Sequence, residues 1–68
     1  MARPVKFPEN LRKLRKSARL TQAMLADKLG VDQRTVSAWE NGIAQPNFET
    51  LAAICDIFGE TFDSLLSD

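Results

Sequence analysis

The chain has 68 residues, 44% apolar and 26% charged, with nine bases balanced by nine acids. That is the composition of one globular domain, too short to bury more than about 60% of its unfolded surface, and no run approaches the ~20 apolar residues of a membrane span. One cysteine and no histidine or tyrosine exclude an intrachain disulfide and a cysteine-based metal cluster. With no Gly-rich phosphate loop either, neither an enzyme nor a cofactor binder is expected.

Residues 1–6 (MARPVK) read as a flexible basic arm broken by Pro4, followed by one domain over 7–68. Pro8 suits the first position of a helix, where its missing N–H is not needed, and Glu9 favours the positive end of the helix dipole. Phe7, Leu11, Leu14 and Ala18 form an apolar stripe, so the first helix is predicted over about 8–18. Arg12, Lys13, Lys16 and Arg19 fall off that stripe; Arg15 lies beside it.

Thr21 suits an N-cap, and a second helix is expected over Gln22–Leu29 with Leu25, Ala26 and Leu29 inward. Gly30 ends it, where the backbone needs a positive φ. Asp32 caps a third helix from Gln33 to about Asn41. Val36 and Trp39 define its inner side, with Glu40 on the edge, and Gln33, Arg34, Ser37, Ala38 and Asn41 fall on the opposite side. Asn41-Gly42 and Pro46 bracket a short loop. Asn47 caps a fourth helix with a stripe of Phe48, Leu51, Ala52, Cys55 and Phe58 and with Ile54 on its edge; Gly59 stops it. Thr61 caps a short fifth helix with Phe62, Leu65 and Leu66 inward. Five helices and no strand predict an all-α, compact five-helix bundle.

Within it, residues 22–41 (QAMLADKLGVDQRTVSAWEN) read as helix, tight turn and helix. Ala26 is small where the two helices meet, and the polar residues lie on the outside. The charge is unevenly spread. Residues 1–19 hold seven bases against one acid, whereas residues 49–68 hold five acids and no base. Such a dipolar molecule offers phosphate a basic face despite zero net charge.

These residues resemble the phage-repressor and Cro-like helix-turn-helix family (XRE type). The likeness is carried by LRKLR (11–15), LTQAMLADKLGV (20–31), TVSAWENG (35–42), PNFETL (46–51) and the Phe62, Leu65, Leu66 ending, together about residues 7–66. The resemblance implies a lambda-repressor-like domain whose third helix enters the major groove of double-stranded DNA. It also implies a homodimer on a palindromic operator, acting as a transcriptional regulator, most simply a repressor. It further implies an ion pair between Arg15 and Glu40. Two positions depart from the pattern. Arg19 stands where many members place Gly or Asn, which argues against a positive φ in that link. Met24 replaces a usual acid, which leaves the second helix without a capping box.

On these grounds Gln33, Arg34, Ser37 and Ala38 are the expected base readers. Gln is suited to adenine N6 and N7, Arg to guanine O6 and N7, and alanine to a thymine methyl. Thr21, Gln22, Asn41 and the N–H of Gly42 are the expected phosphate contacts, with Arg3 and Lys6 as further candidates. Phe62, Leu65 and Leu66 are assigned to a dimer interface by analogy with relatives, with core packing as the other option. Cys55 is expected to be a small core residue. The setting is expected to be cytoplasmic, with no membrane contact and no small-molecule ligand. The rival reading is a protein-interaction module, such as an antitoxin or accessory subunit, that keeps the same fold.

Overall fold

A computed structural model describes residues 6–67, so Met1–Val5, most of the expected basic arm, lie outside the described residues. It contains α1 (Phe7–Ser17), α2 (Gln22–Leu29), α3 (Gln33–Glu40), α4 (Phe48–Phe58) and α5 (Phe62–Leu66). Among the described residues there is no strand, and no helix is long and apolar enough to cross a membrane.

Local chemistry sets most of the boundaries. Thr21, Asp32, Asn47 and Thr61 each stand in extended backbone and accept an early helix N–H on their side chains, from Met24, Arg34, Thr50 and Ser64 in turn. Gly30 and Gly59 close α2 and α4 at φ +69° and +65°, a region that costs a residue with a Cβ. Helix α1 begins one residue earlier than the sequence suggests and places Pro8 in its first turn; Lys6 precedes it without a side-chain cap.

The core gathers one or two side chains from every helix: Phe7 and Leu11, Leu25 and Ala26, Val36 and Trp39, Ile54 and Cys55, and Leu65. Ala26 is buried on α2, which packs against α3 over the short turn at Gly30–Val31. A larger side chain there would push the two helices apart. Asn10, which lies within the apolar stripe of α1, donates through Nδ2 to the carbonyls of Leu65 (2.9 Å) and Ser67 (2.6 Å). It thereby satisfies the open C-terminal end of α5 and ties the last helix to the first.

Four expectations from the sequence are corrected. Arg19 does adopt a left-handed conformation, at φ +60°, because the chain must reverse between α1 and Thr21. Its N–H reaches the Lys16 carbonyl and the next N–H reaches that of Arg15. Ala18 caps α1 and is exposed instead of completing the inner stripe. Phe48 is 72% exposed and stacks its ring on Phe62 with centroids 5.0 Å apart, while Ile54 moves from the edge to the centre of the buried arc. Apolar residues occupy nearly the whole circumference of α4, so periodicity alone does not select which arc faces inward. Leu65, finally, is fully buried inside the single chain and offers nothing to a partner; of the three candidate dimer residues only Phe62 and Leu66 keep exposed surface.

Candidate nucleic-acid interface

Helix α3 is short and amphipathic, and its orientation is set by Val36 and Trp39, both buried against the core. With those two inward, Gln33 and Arg34 stand exposed at its N-terminal end, and Ser37 and Ala38 are half-buried further along. The four expected base readers thus share the side facing away from the core. Eight residues at 1.5 Å each span about 12 Å, matching the ~12 Å width of the major groove.

The other end of α3 is fastened by a polar hub. Glu40 is 5% exposed, and its carboxylate receives Arg15 through two parallel contacts, Nε to Oε2 at 2.6 Å and Nη2 to Oε1 at 3.0 Å. The third guanidinium nitrogen, Nη1, donates to the Leu20 carbonyl at 2.8 Å. A single arginine therefore joins α1, the α1–α2 link and α3. Burial by itself would push the Glu40 carboxyl up. The hydrogen bonds from Arg15, Gln22 and Arg12, with the Arg15 charge, outweigh burial and hold it below the ordinary range. The same contact holds Arg15 above its ordinary value. The pair inferred from the sequence is present in its buried form, and among the described residues no buried side-chain polar atom lacks a partner.

Two further groups join this hub: Gln22, which the sequence suggested only as a phosphate contact, and Arg12, which it placed off the apolar stripe without a role. Gln22, at the start of α2, donates through Nε2 to Glu40 Oε1 at 3.2 Å. That bond uses one of the two amide hydrogens of Gln22; the side chain itself is half-buried. Arg12 lies 3.5 Å from Glu40 Oε1 through Nε and donates through Nη2 to the Glu40 carbonyl (3.5 Å) and to Asn41 Oδ1 (3.4 Å). Its signal in the sequence is its spacing three residues before Arg15, which places both guanidinium groups on one side of α1.

Of the expected phosphate contacts, Thr21 and Gln22 lie at the start of α2 and Asn41 at the end of α3. The Thr21 hydroxyl already accepts the Met24 N–H at 3.0 Å, which leaves its hydrogen for an outside acceptor. Gly42 is corrected: its N–H donates to the Trp39 carbonyl at 3.2 Å, so the expected backbone phosphate contact is already committed to closing the helix. Lys6 lies 3.9 Å from Glu9, an exposed pair of little energetic weight. The lone cysteine, Cys55, is buried, and burial first, then Asp56 and Glu60, push its thiol up; it packs as a small apolar residue.

A helix-turn-helix family model matches residues 11–65, most of the chain. The curated relatives include the transcriptional activator BcrR of Enterococcus faecalis, 43% identical over 63 residues that make up 93% of this chain and 31% of that protein. The chain spans about a third to just over half of the length of the curated relatives it matches. Among solved structures, the P22 c2 repressor in complex with a synthetic operator is 33% identical with a TM-score of 0.84, over 90% of this chain and 92% of that one. The hydroxypropylphosphonic acid epoxidase of S. wedmorenis carries a similar unit, 31% identical with a TM-score of 0.83, over 94% of this chain and 34% of the epoxidase.

Proposed function

The chain belongs to the helix-turn-helix family, whose fold is the DNA-binding domain of transcriptional regulators, and from that premise we propose that it binds a specific double-stranded DNA sequence and regulates transcription in the cytoplasm. Helix α3 enters the major groove. Gln33 and Arg34 form bidentate bonds to adenine and guanine edges, and Ser37 and Ala38 complete the word; each good bidentate pair is worth about 1–3 kcal/mol of discrimination. Gln22, Thr21 and Asn41 hold the flanking phosphates and position the helix without reading bases.

The observation that carries this reading is the outer side of α3: exposed Gln33 and Arg34, no acid, and a rigid mount through Ala26, Trp39 and Glu40. Its likeness to an operator-bound repressor over nearly the full length of both chains supports the same docking. A single module of this kind buries about 600–1,000 Å² on DNA, so two copies on half-sites ~34 Å apart are the expected binding unit. Phe62 and Leu66 are the candidate dimer contacts. Repression, by occupying an operator, is the outcome proposed; the curated relatives include both an activator and a repressor.

A second reading has its own support. Ile43 and Phe48 are 78% and 72% exposed, and a similar unit forms about a third of an epoxidase. In that reading the domain docks protein, not DNA, as an antitoxin or accessory module. Selection of bound sequences from random duplex DNA separates the two. An enriched palindromic word is expected; its absence at low salt overturns sequence-specific binding and leaves the docking reading.

A further inference from the structure

Ser37 sits in the middle of the proposed reading face and is connected to α1 by a chain of two hydrogen bonds. Arg12 Nη2 donates to Asn41 Oδ1 at 3.4 Å, and Asn41 Nδ2 donates to Ser37 Oγ at 3.3 Å. The direction of this chain is dictated from the arginine end. A guanidinium has donors only and stays protonated, so the asparagine atom facing it must be the oxygen. The amide nitrogen then points at Ser37, and because that nitrogen carries only hydrogens, the serine oxygen must accept. What the serine has left is its own hydrogen and one lone pair, and of the two an unpartnered hydrogen is the costlier to bury. Among the described residues that hydrogen has no intrachain acceptor, although serine within a helix often donates to the carbonyl four residues back.

We propose that Ser37 meets DNA as a hydrogen-bond donor, because Asn41, itself oriented by Arg12, occupies one of its lone pairs and leaves its hydrogen without a partner. The inference rests on α3 being a reading helix and adds a specificity rule to it. In the major groove a donor finds guanine O6 and N7, adenine N7 and thymine O4; cytosine offers only its amino group. A cytosine there could reach only the remaining lone pair and would leave the serine hydrogen unpartnered, so Ser37 favours the other three bases at the position it touches. Arg12 and Asn41 are positioning residues for that choice, although Arg12 makes no base contact.

The test is sequence selection with the purified chain and four of its variants, after circular dichroism has confirmed equal helicity. Ser37→Ala identifies the base pair by loss of a roughly three- to tenfold preference, the size expected for one neutral hydrogen bond. Asn41→Asp replaces the donor by a second acceptor, so the serine hydrogen turns inward and its lone pairs face the DNA. Preference at the same base pair is then expected to move to a base with an amino group, cytosine or adenine. Arg12→Gln, whose amide presents either atom to Asn41, is expected to relax the preference, and Arg12→Lys to retain it. A wild-type base preference that persists unchanged in Asn41→Asp overturns the proposal. Should the added charge abolish binding, an unchanged preference in Arg12→Gln overturns it instead. An enriched word that Ser37→Ala leaves intact defeats this inference alone, whereas no enriched word at all defeats the reading of α3 on which it rests.

Discussion

Arg15 and Glu40, 25 residues apart in the chain, meet through two parallel hydrogen bonds in a site where the arginine side chain is 11% exposed and the glutamate side chain is fully buried. A buried pair is stable only while both members are present, because removing one strands the other charge. Glu40→Ala is therefore expected to cost about 3–5 kcal/mol, comparable with the whole stability of a domain this small. Replacing both members by apolar residues of similar size, Arg15→Met with Glu40→Leu, is expected to recover most of that loss. Urea unfolding followed by circular dichroism measures both, and a single variant within about 1 kcal/mol of wild type would show the pair to be marginal.

The same pair gives the domain an acid limit. The folded carboxyl of Glu40 is held below its ordinary value of 4.5. Its contribution is thus complete above that value and is lost as pH falls below it, through the folded value. Melting temperature is expected to decline under about pH 4.5, with a shallower decline in Glu40→Gln, which does not titrate. Parallel curves for the two proteins would assign the acid sensitivity to other carboxylates.

Arg19 occupies the left-handed region at φ +60°, where a Cβ costs about 1–2 kcal/mol relative to glycine. Glycine also adds freedom to the unfolded chain, which offsets part of the relief. Arg19→Gly should then raise the urea midpoint modestly, by up to about 1 kcal/mol in stability. A lower midpoint would mean that the arginine side chain makes a compensating contact.

Asn10 makes the two hydrogen bonds that close α5. At about 0.5–1.5 kcal/mol each, Asn10→Ala is expected to cost roughly 1–3 kcal/mol. The effect should be greatest at α5, seen as faster amide hydrogen exchange in residues 62–67 than in α2 and α3. Uniform acceleration would mean that α5 opens only with the whole domain.

The proposed roles in base reading and backbone clamping are expected to separate in binding assays. Arg34→Ala is expected to relax preference at one base pair per half-site, whereas Gln22→Ala should weaken all sequences about equally. Because Gln22 also donates to Glu40, a small loss of stability should accompany its substitution. Uniform weakening by both variants would mean that Arg34 binds phosphate.

Most of the architecture is legible without coordinates because it is written locally. Capping side chains at Thr21, Asp32, Asn47 and Thr61, and glycines at 30 and 59, each act within a few residues of chain. What was not legible depends on contacts between distant segments. Whether the Gly42 N–H is free, whether Gln22 faces solvent or Glu40, and which of Phe62, Leu65 and Leu66 is covered are all decided by neighbours from other helices. The outward turn of Phe48 belongs to the same class, since its alternative to burial is a ring on α5. The proposed reading face is legible by elimination: Val36 and Trp39 claim one side of α3, and Gln33, Arg34, Ser37 and Ala38 have only the other.

The chain contains one tryptophan, and Trp39 is buried where α3 meets the core. Its indole emission consequently reports on the seating of that single helix, with no second fluorophore of its kind to blur the signal. A red shift without loss of far-ultraviolet helicity would reveal α3 lifting from the core while the other four helices stay folded.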